Sequence, residues 1–231
     1  MRWMGILGFS IVIVACGART ELGDERPHSP LCGNGVIDPG EACDLGAANS
    51  DASPTFAITQ NGQTFVARPL AHEQSATSFY DYFSASSHTG LEEQGESRIY
   101  LYLDEKANAL SLVVNHNIDG QGDGQASMRI TGLPHGFNID LSDDKGELAA
   151  TDATTADGHW QWSENSDGGV IGGLCASGWT IVATPTFTSG IATWVWVDGD
   201  ESRKPLDRNG LVTIAPRPQC HTDCTLVTSC E

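Results

Sequence analysis

Large apolar residues recur at every second position through Ser97-Arg-Ile-Tyr-Leu-Tyr-Leu103, the period of a strand with one buried face. Asp104–Asn108 is rich in turn formers and Ala109–Ile118 returns to apolar residues, so the pair predicts a hairpin. Further runs predict strands at Ala126–Leu133, Gly136–Leu141, His159–Ser163, Trp179–Phe187, Ile191–Asp198 and Leu211–Ala215, with weaker candidates at Gln63–Val66 and Ser78–Phe83. Asp-Gly, Pro-His-Gly and Asn-Gly turns punctuate them. No stretch of useful length carries a 3.6-residue apolar period. The expected fold is all-β: an antiparallel β-sandwich of about eight or nine short strands over residues 54–218. Thr193-Trp-Val-Trp-Val197 is apolar on both faces and predicts a central strand. Trp160 and Trp162 share one strand face, which serves either as core or as a ligand face on which sugar rings stack; core weighs more. His116 shares a face with Leu112, Val114 and Ile118 and reads as a hydrogen-bonded rim residue.

The first residues break this pattern. Arg2 precedes Ile6–Val14, an apolar run too short to span a bilayer, and the run ends in Ile13-Val14-Ala15-Cys16. That ending resembles a bacterial lipobox. The resemblance implies a signal peptide over residues 1–15 and a lipid on Cys16; an ordinary signal peptide with a spare thiol is the competing reading. Gly17 stands where many inner-membrane lipoproteins carry Asp, which points to the outer membrane or cell surface. Residues 16–30 are polar, contain Pro27 and Pro30, and read as a tether.

Charge narrows the partners. The 231 residues carry 12 Lys+Arg against 30 Asp+Glu, a formal charge of −18. A polyphosphate needs a basic stripe, so nucleic acid is not an expected partner, and contact with a membrane rests on the lipid anchor. With 39% hydrophobic residues and 26 glycines, the composition fits a folded, turn-rich β protein.

Seven cysteines less Cys16 leave six: Cys32, Cys43, Cys175, Cys220, Cys224 and Cys230. In an exported chain they predict disulfides, and zinc on Cys220-x3-Cys224 is the weaker reading. Cys32-Gly-Asn-Gly-Val-Ile-Asp-Pro-Gly-Glu-Ala-Cys43-Asp resembles the opening of the myxobacterial cysteine-rich repeat. Cys220-His-Thr-Asp-Cys224-Thr-Leu226 resembles that repeat's second half. The resemblance implies one repeat, 31–53 and 219–231, split by the inserted 54–218 domain. Both chain ends would then form a small disulfide-rich stalk with at least one bridge between the two clusters. Cys175 has no place in the repeat. Full pairing would put it on a stalk cysteine such as Cys230; otherwise both stay reduced.

Asn34, Asp38, Glu41 and Asp44 place four hard oxygen donors among glycines. The spacing is similar to the calcium loop of disintegrin domains, which implies these four as side-chain ligands, with the carbonyls of Leu31 and Val36. Asp38 departs from that pattern, where the family has Glu. Solvated turn residues are the alternative. Asp119-Gly-Gln-Gly-Asp123-Gly124 looks like half an EF-hand loop, but Ile130 occupies the twelfth position, so a glycine-rich connection weighs more. Asp143-Asp144 with Glu147, and Asp198-Gly-Asp200-Glu201, read as solvated turns or as acidic rims at opposite ends of the sandwich.

No Gly-x-Ser-x-Gly, His-Glu-x-x-His, phosphate loop or His-x-His pair is present, so no catalytic residue is predicted. The expectation is a surface-anchored lipoprotein that is not an enzyme, acting as a binding or adhesion module for a polysaccharide or protein ligand, with calcium as its cofactor. The alternative is an extracellular hydrolase or polysaccharide-processing enzyme. A cleft with converging carboxylates would favour the enzyme; an exposed aromatic or acidic rim would favour binding.

Overall fold

The computed structural model describes residues 32–38, 41–48, 53–176, 178–221 and 230. Cys16 and Cys224 lie outside the described residues. The fold is all-β and built of two packed sheets. The first sheet contains β1 (Phe56–Gln60), β2 (Gln63–Ala67), β6 (Asp123–Thr131), β8 (Leu148–Asp152), β9 (Thr155–Ser163), β11 (Ile181–Ser189) and β14 (Val212–Pro216). Its order is β2-β1-β14-β11-β6-β9-β8, antiparallel throughout. The second sheet contains β3 (Leu70–His72), β4 (Glu96–Asp104), β5 (Ala109–His116), β7 (Asn138–Ser142), β10 (Asp167–Gly172), β12 (Thr193–Val197) and β13 (Arg203–Leu206). Its order is β13-β12-β4-β5-β10-β7.

Among the described residues the strands number fourteen, not eight or nine. The unread strands lack the signal that the others carry. β10 is Asp-Gly-Gly-Val-Ile-Gly, β13 holds Arg203, Lys204 and Pro205, β8 is small and polar, and β3 has three residues. β1, Phe-Ala-Ile-Thr-Gln, does alternate and was legible. The pairing is not wholly antiparallel either. β12 and β3 lie parallel to β4, against Glu96–Ile99 and Tyr102–Asp104 respectively, while β5 takes the other edge. β12 lies inside its sheet, flanked by β13 and β4, as its apolar residues predict.

The weak candidate Ser78–Phe83 is not a strand. Ala76–Tyr80 forms the short helix α1, because Ser75 caps it by accepting the Ser78 N–H and left-handed Asp81 closes it on the Thr77 carbonyl. The segment between β3 and β4, with α1 in it, covers the outer face of the second sheet. β4 is therefore buried on both faces. Ile99, Leu101 and Leu103 join the core between the sheets, whereas Tyr100 and Tyr102 pack outward with Leu70, Tyr80, Val113, Val170, Val195 and Val197.

The registers set two ends apart. β1 enters and β14 leaves at the same end: Phe56 pairs with Pro216, and the Arg217 N–H donates to the Thr55 carbonyl at 2.9 Å. The chain ends thus meet at a neck. Cys43–Cys220 joins them across 177 residues, with Cα atoms 5.9 Å apart. Cys175, beyond the neck-side end of β10, pairs with Cys230. Cys32 is disulfide-bonded too, its partner lying outside the described residues. The Asp198–Glu201 turn falls at the neck end. The Asn117–Gly122 connection, the 143–147 loop and the start of β10 fall at the distal end.

Candidate functional site

Trp160 and Trp162 leave no open face. They are 1% and 4% exposed and fill the core between the sheets, where glycines make room: a Cβ at Gly158 or Gly124 would come within 2.0 Å of their rings. His116 is fully buried rather than at a rim. It stacks on Trp162 at 5.6 Å, both its ring nitrogens lack partners, and burial pushes its pKa down to about 3. The connection between β5 and β6 is tied down as a structural element, with Asp119 accepting from the Ser86 hydroxyl at 2.9 Å.

In the Asn34–Asp44 loop the four expected ligands share one turn system, and their oxygens face the loop's own donors. Asp44 Oδ2 accepts from the amides of Gly33 and Gly35 at 3.0 and 3.1 Å, and its Oδ1 from Gly46 at 2.7 Å. Asn34 donates to Asp38 Oδ2 at 2.9 Å, and Glu41 Oε2 accepts the Asp38 amide at 2.8 Å. Glu41 Oε1 is buried with no partner. Among the described residues no group of three or more His, Cys, Asp or Glu is disposed to hold a metal ion.

The distal end carries a feature that strand patterns did not reveal. Phe83 and Ser86 exchange both backbone hydrogen bonds at 3.1 Å across a two-residue turn. Ser84 and Ala85 fill that turn with φ of 53° and 60°. Positive φ at both positions is the demand of a type I′ turn, which normally recruits Asn-Gly. Each left-handed non-glycine residue costs on the order of 1 kcal/mol, an expense that concentrates where function holds it. The turn presents Phe83, 53% exposed, stacked on His88 with ring centroids 3.7 Å apart. His88 is fixed by its amide on the Tyr80 carbonyl at 3.0 Å and its Nδ1 against the Asp81 carbonyl at 3.1 Å. Beside it the half-buried Tyr82 donates to the exposed Asp144 at 3.4 Å. The sequence signal was aromatic density, four rings in the five residues Phe79–Phe83, which reading Ser78–Phe83 as a weak strand left without a role.

Two sets of buried polar groups mount this platform. The first centres on Arg98, fully buried on the outer face of β4. Its guanidinium donates to the carbonyls of Leu91 and Asn117 and to Asn115 Oδ1, 3.8 Å from Glu96. Asn115 in turn donates to Ser87, which meets Ser166 at 2.9 Å and donates to Glu92 at 2.9 Å. Residues 87–96 are thereby pinned on the sheet.

The second set is acidic. Tyr80 donates to Asp143 Oδ2 at 2.8 Å in a buried contact. Asp143 and Asp167 are 7% and 4% exposed, and the Glu147 carboxyl reaches that of Asp167. Burial pushes the Asp143 carboxyl up to about 7, helped by the charges of Asp144 and Glu147. Burial, then repulsion from Glu147 and Asp143, drives Asp167 far above the usual carboxylate range; burial raises Glu147 as well. Asp167 was missed because it heads a glycine-rich run that did not read as a strand. An open groove of about 300 Å³ lies elsewhere, between α1 and the neck-side ends of β4, β5 and β7, and none of the three carboxylates lines it.

Compared with protein-family profiles, curated proteins and solved structures, the chain matches none.

Proposed function

We propose that this protein is a surface-displayed binding module: a lipid anchor at Cys16, a polar tether, a disulfide-linked neck and a β-sandwich head whose distal end binds ligand. The observation that carries the reading is the Phe83–His88 stack, in which an exposed Phe83 ring beside an unfavourable turn is backed by half-buried His88 at the end of the sandwich opposite the neck. An aromatic face flanked by a tyrosine hydroxyl and the exposed carboxylate of Asp144 suits a neutral polysaccharide. The sugar's apolar face stacks on the ring while its hydroxyls bond to the polar rim. The strongly negative chain disfavours anionic glycans. The hydrolase alternative would need a substrate to reach Asp143 and Asp167, which lie beneath the surface. Titration of the full chain with a panel of neutral polysaccharides tests the reading. Phe83→Ala should weaken binding at least about ten-fold, the loss expected for a stacking contact. Unchanged binding by Phe83→Ala would remove the platform from consideration.

Calcium on the Asn34–Asp44 loop is a second proposal, supported by the unpartnered buried Glu41 Oε1. Calorimetry should show weak uptake that Glu41→Ala abolishes.

A further inference from the structure

We propose that the groove between α1 and β7 is a second subsite for the same neutral polysaccharide: it takes the hydroxyl groups of sugar units that follow the one stacked on Phe83, so that the protein reads an extended run of the chain and not a single unit. The inference rests on the platform reading and adds the shape of the ligand.

The groove has a local cause. On the outer face of the second sheet, β4 and β5 fill the middle with Tyr100, Tyr102 and Val113, but the neck-side row is built of small residues. Tyr102 pairs with Ser111, and one step beyond the Ile171–Leu112 pair Ser111 faces Gly172 of β10. Gly172 in turn pairs with Asn138 of β7. The β7–β10 register shifts between Val170 and Ile171, opposite Leu141 and Ile139, which leaves Asp140 as the extra residue of a bulge. Ile139 packs toward the core between the sheets and Leu141 toward the outer cluster. The bulge swings the Asp140 carboxylate over Gly172, where a Cβ would run into Oδ2. A glycine inside a strand weakens it, and here its missing side chain is what gives the carboxylate its place.

The result is a cavity of about 300 Å³ with Ser75 and Thr77 on one wall, Asp140 on the other, and Ala109, Ser111 and Asp104 from the sheet. Its chemistry is that of a hydroxyl acceptor. Asp104 Oδ1 takes the amides of Lys106 and Ala107 at 3.0 Å, and Asp140 Oδ1 takes the Asn138 side-chain amide. Among the described residues each keeps Oδ2 without a hydrogen bond, and neither forms an ion pair. Two such oxygens fall short of the six to eight that calcium wants, but each can accept from a sugar hydroxyl. No Lys or Arg lines the groove to receive an anion.

Position joins the groove to the platform. The start of α1 forms the groove wall, and its end, Tyr80, reaches Asp143 just past β7, so both elements lead from groove to platform. The five residues of α1 span about 8 Å. The buried Tyr80–Asp143 contact closes the floor between the two sites, and the path over it runs along Tyr82, Ser142 and Asp144, where Tyr82 and Ser142 both donate to Asp144. A ring face at one end and carboxylate acceptors at the other divide the work: one sugar stacks, and later units offer their hydroxyls.

Calorimetric titration of the full chain tests this, with oligosaccharides of graded length cut from the neutral polysaccharide that the unmodified chain binds tightest. Affinity should climb with length by about ten-fold or more and then level off. Asp140→Ala removes the acceptor, and Ala109→Leu fills the groove from an exposed position on the sheet. Both should bind the shortest oligosaccharide within about two-fold of the unmodified chain and lose the gain with length. The two changes come from different elements, so a shared result does not trace to one misfolded variant. Affinity that does not depend on length overturns the subsite, as does a full gain with length in both variants. Failure of the platform reading looks different: Phe83→Ala would bind every length as the unmodified chain does, and a chain that binds no neutral polysaccharide takes both readings down.

Discussion

The two ends of this sandwich are fastened by different means. At the neck the holding is covalent: Cys43–Cys220 and Cys175–Cys230 bind the chain ends to each other and to the loop after β10. At the distal end it is polar and ionisable: the Arg98 network pins residues 87–96, and the Asp143, Glu147 and Asp167 group holds Tyr80. A disulfide constrains the unfolded chain and is indifferent to pH below the range of thiol chemistry. A buried carboxyl cluster does nothing to the unfolded chain and everything depends on its proton count. The neck is therefore held independently of pH, whereas the far end is held by groups whose charge follows it.

The largest effect should come from cutting the neck. The double variant Cys43→Ser, Cys220→Ser frees a span of 177 residues, for which chain entropy gives about 5 kcal/mol at most. Denaturant titration should show a midpoint lowered accordingly, while local exchange in residues 87–96 of the folded protein should stay unchanged. Next comes Arg98→Met. Removing the guanidinium strands the Asn117 carbonyl and Asn115 Oδ1, while the Leu91 carbonyl and Glu96 keep Arg203, at a loss of about 3 kcal/mol. Local exchange in residues 87–96 should rise more than exchange at the neck; a uniform rise would mean that the two ends are not independent.

Smaller, and opposite in sign to ordinary core damage, is Asp167→Asn. Because its folded carboxyl ionises far above its unfolded one, native stability declines from about pH 4 upward in the unmodified chain. The variant should flatten that slope and melt on the order of 5 °C above the unmodified chain at pH 9, with less difference at pH 5. A variant that melts lower at both pH values would show that the carboxyl stabilises rather than burdens the fold. The smallest effect belongs to the strained turn. Ser84→Asn with Ala85→Gly supplies the residues that positive φ favours and should raise stability by about 1 kcal/mol. Calorimetric melting checks it, and polysaccharide affinity should hold, since neither side chain is the ring that stacks.

The sequence by itself determined the class of fold, the hairpin of β4 and β5, the inner place of β12 and the need for cross-links, because each rests on local pattern or on cysteine count. The bridge between the two cysteine clusters was expected from a resemblance to a split repeat, and Cys43–Cys220 provides one. Tertiary structure alone decided the rest. Whether Trp160 and Trp162 face a partner or the core depends on what the opposite sheet brings to them, and alternation is the same in both cases. Glycine-rich β10 became a strand because β5 and β7 flank it, a cause that lies more than twenty residues earlier in the chain. Tyr80, Asp143 and Asp167 are far apart in the chain, and they read there as a residue of a weak strand candidate, a turn acid and a loop acid. Only burial in one place, without a cation, turns three solvated carboxylates into a group that must hold protons. Burial and proximity belong to the fold and to no residue singly.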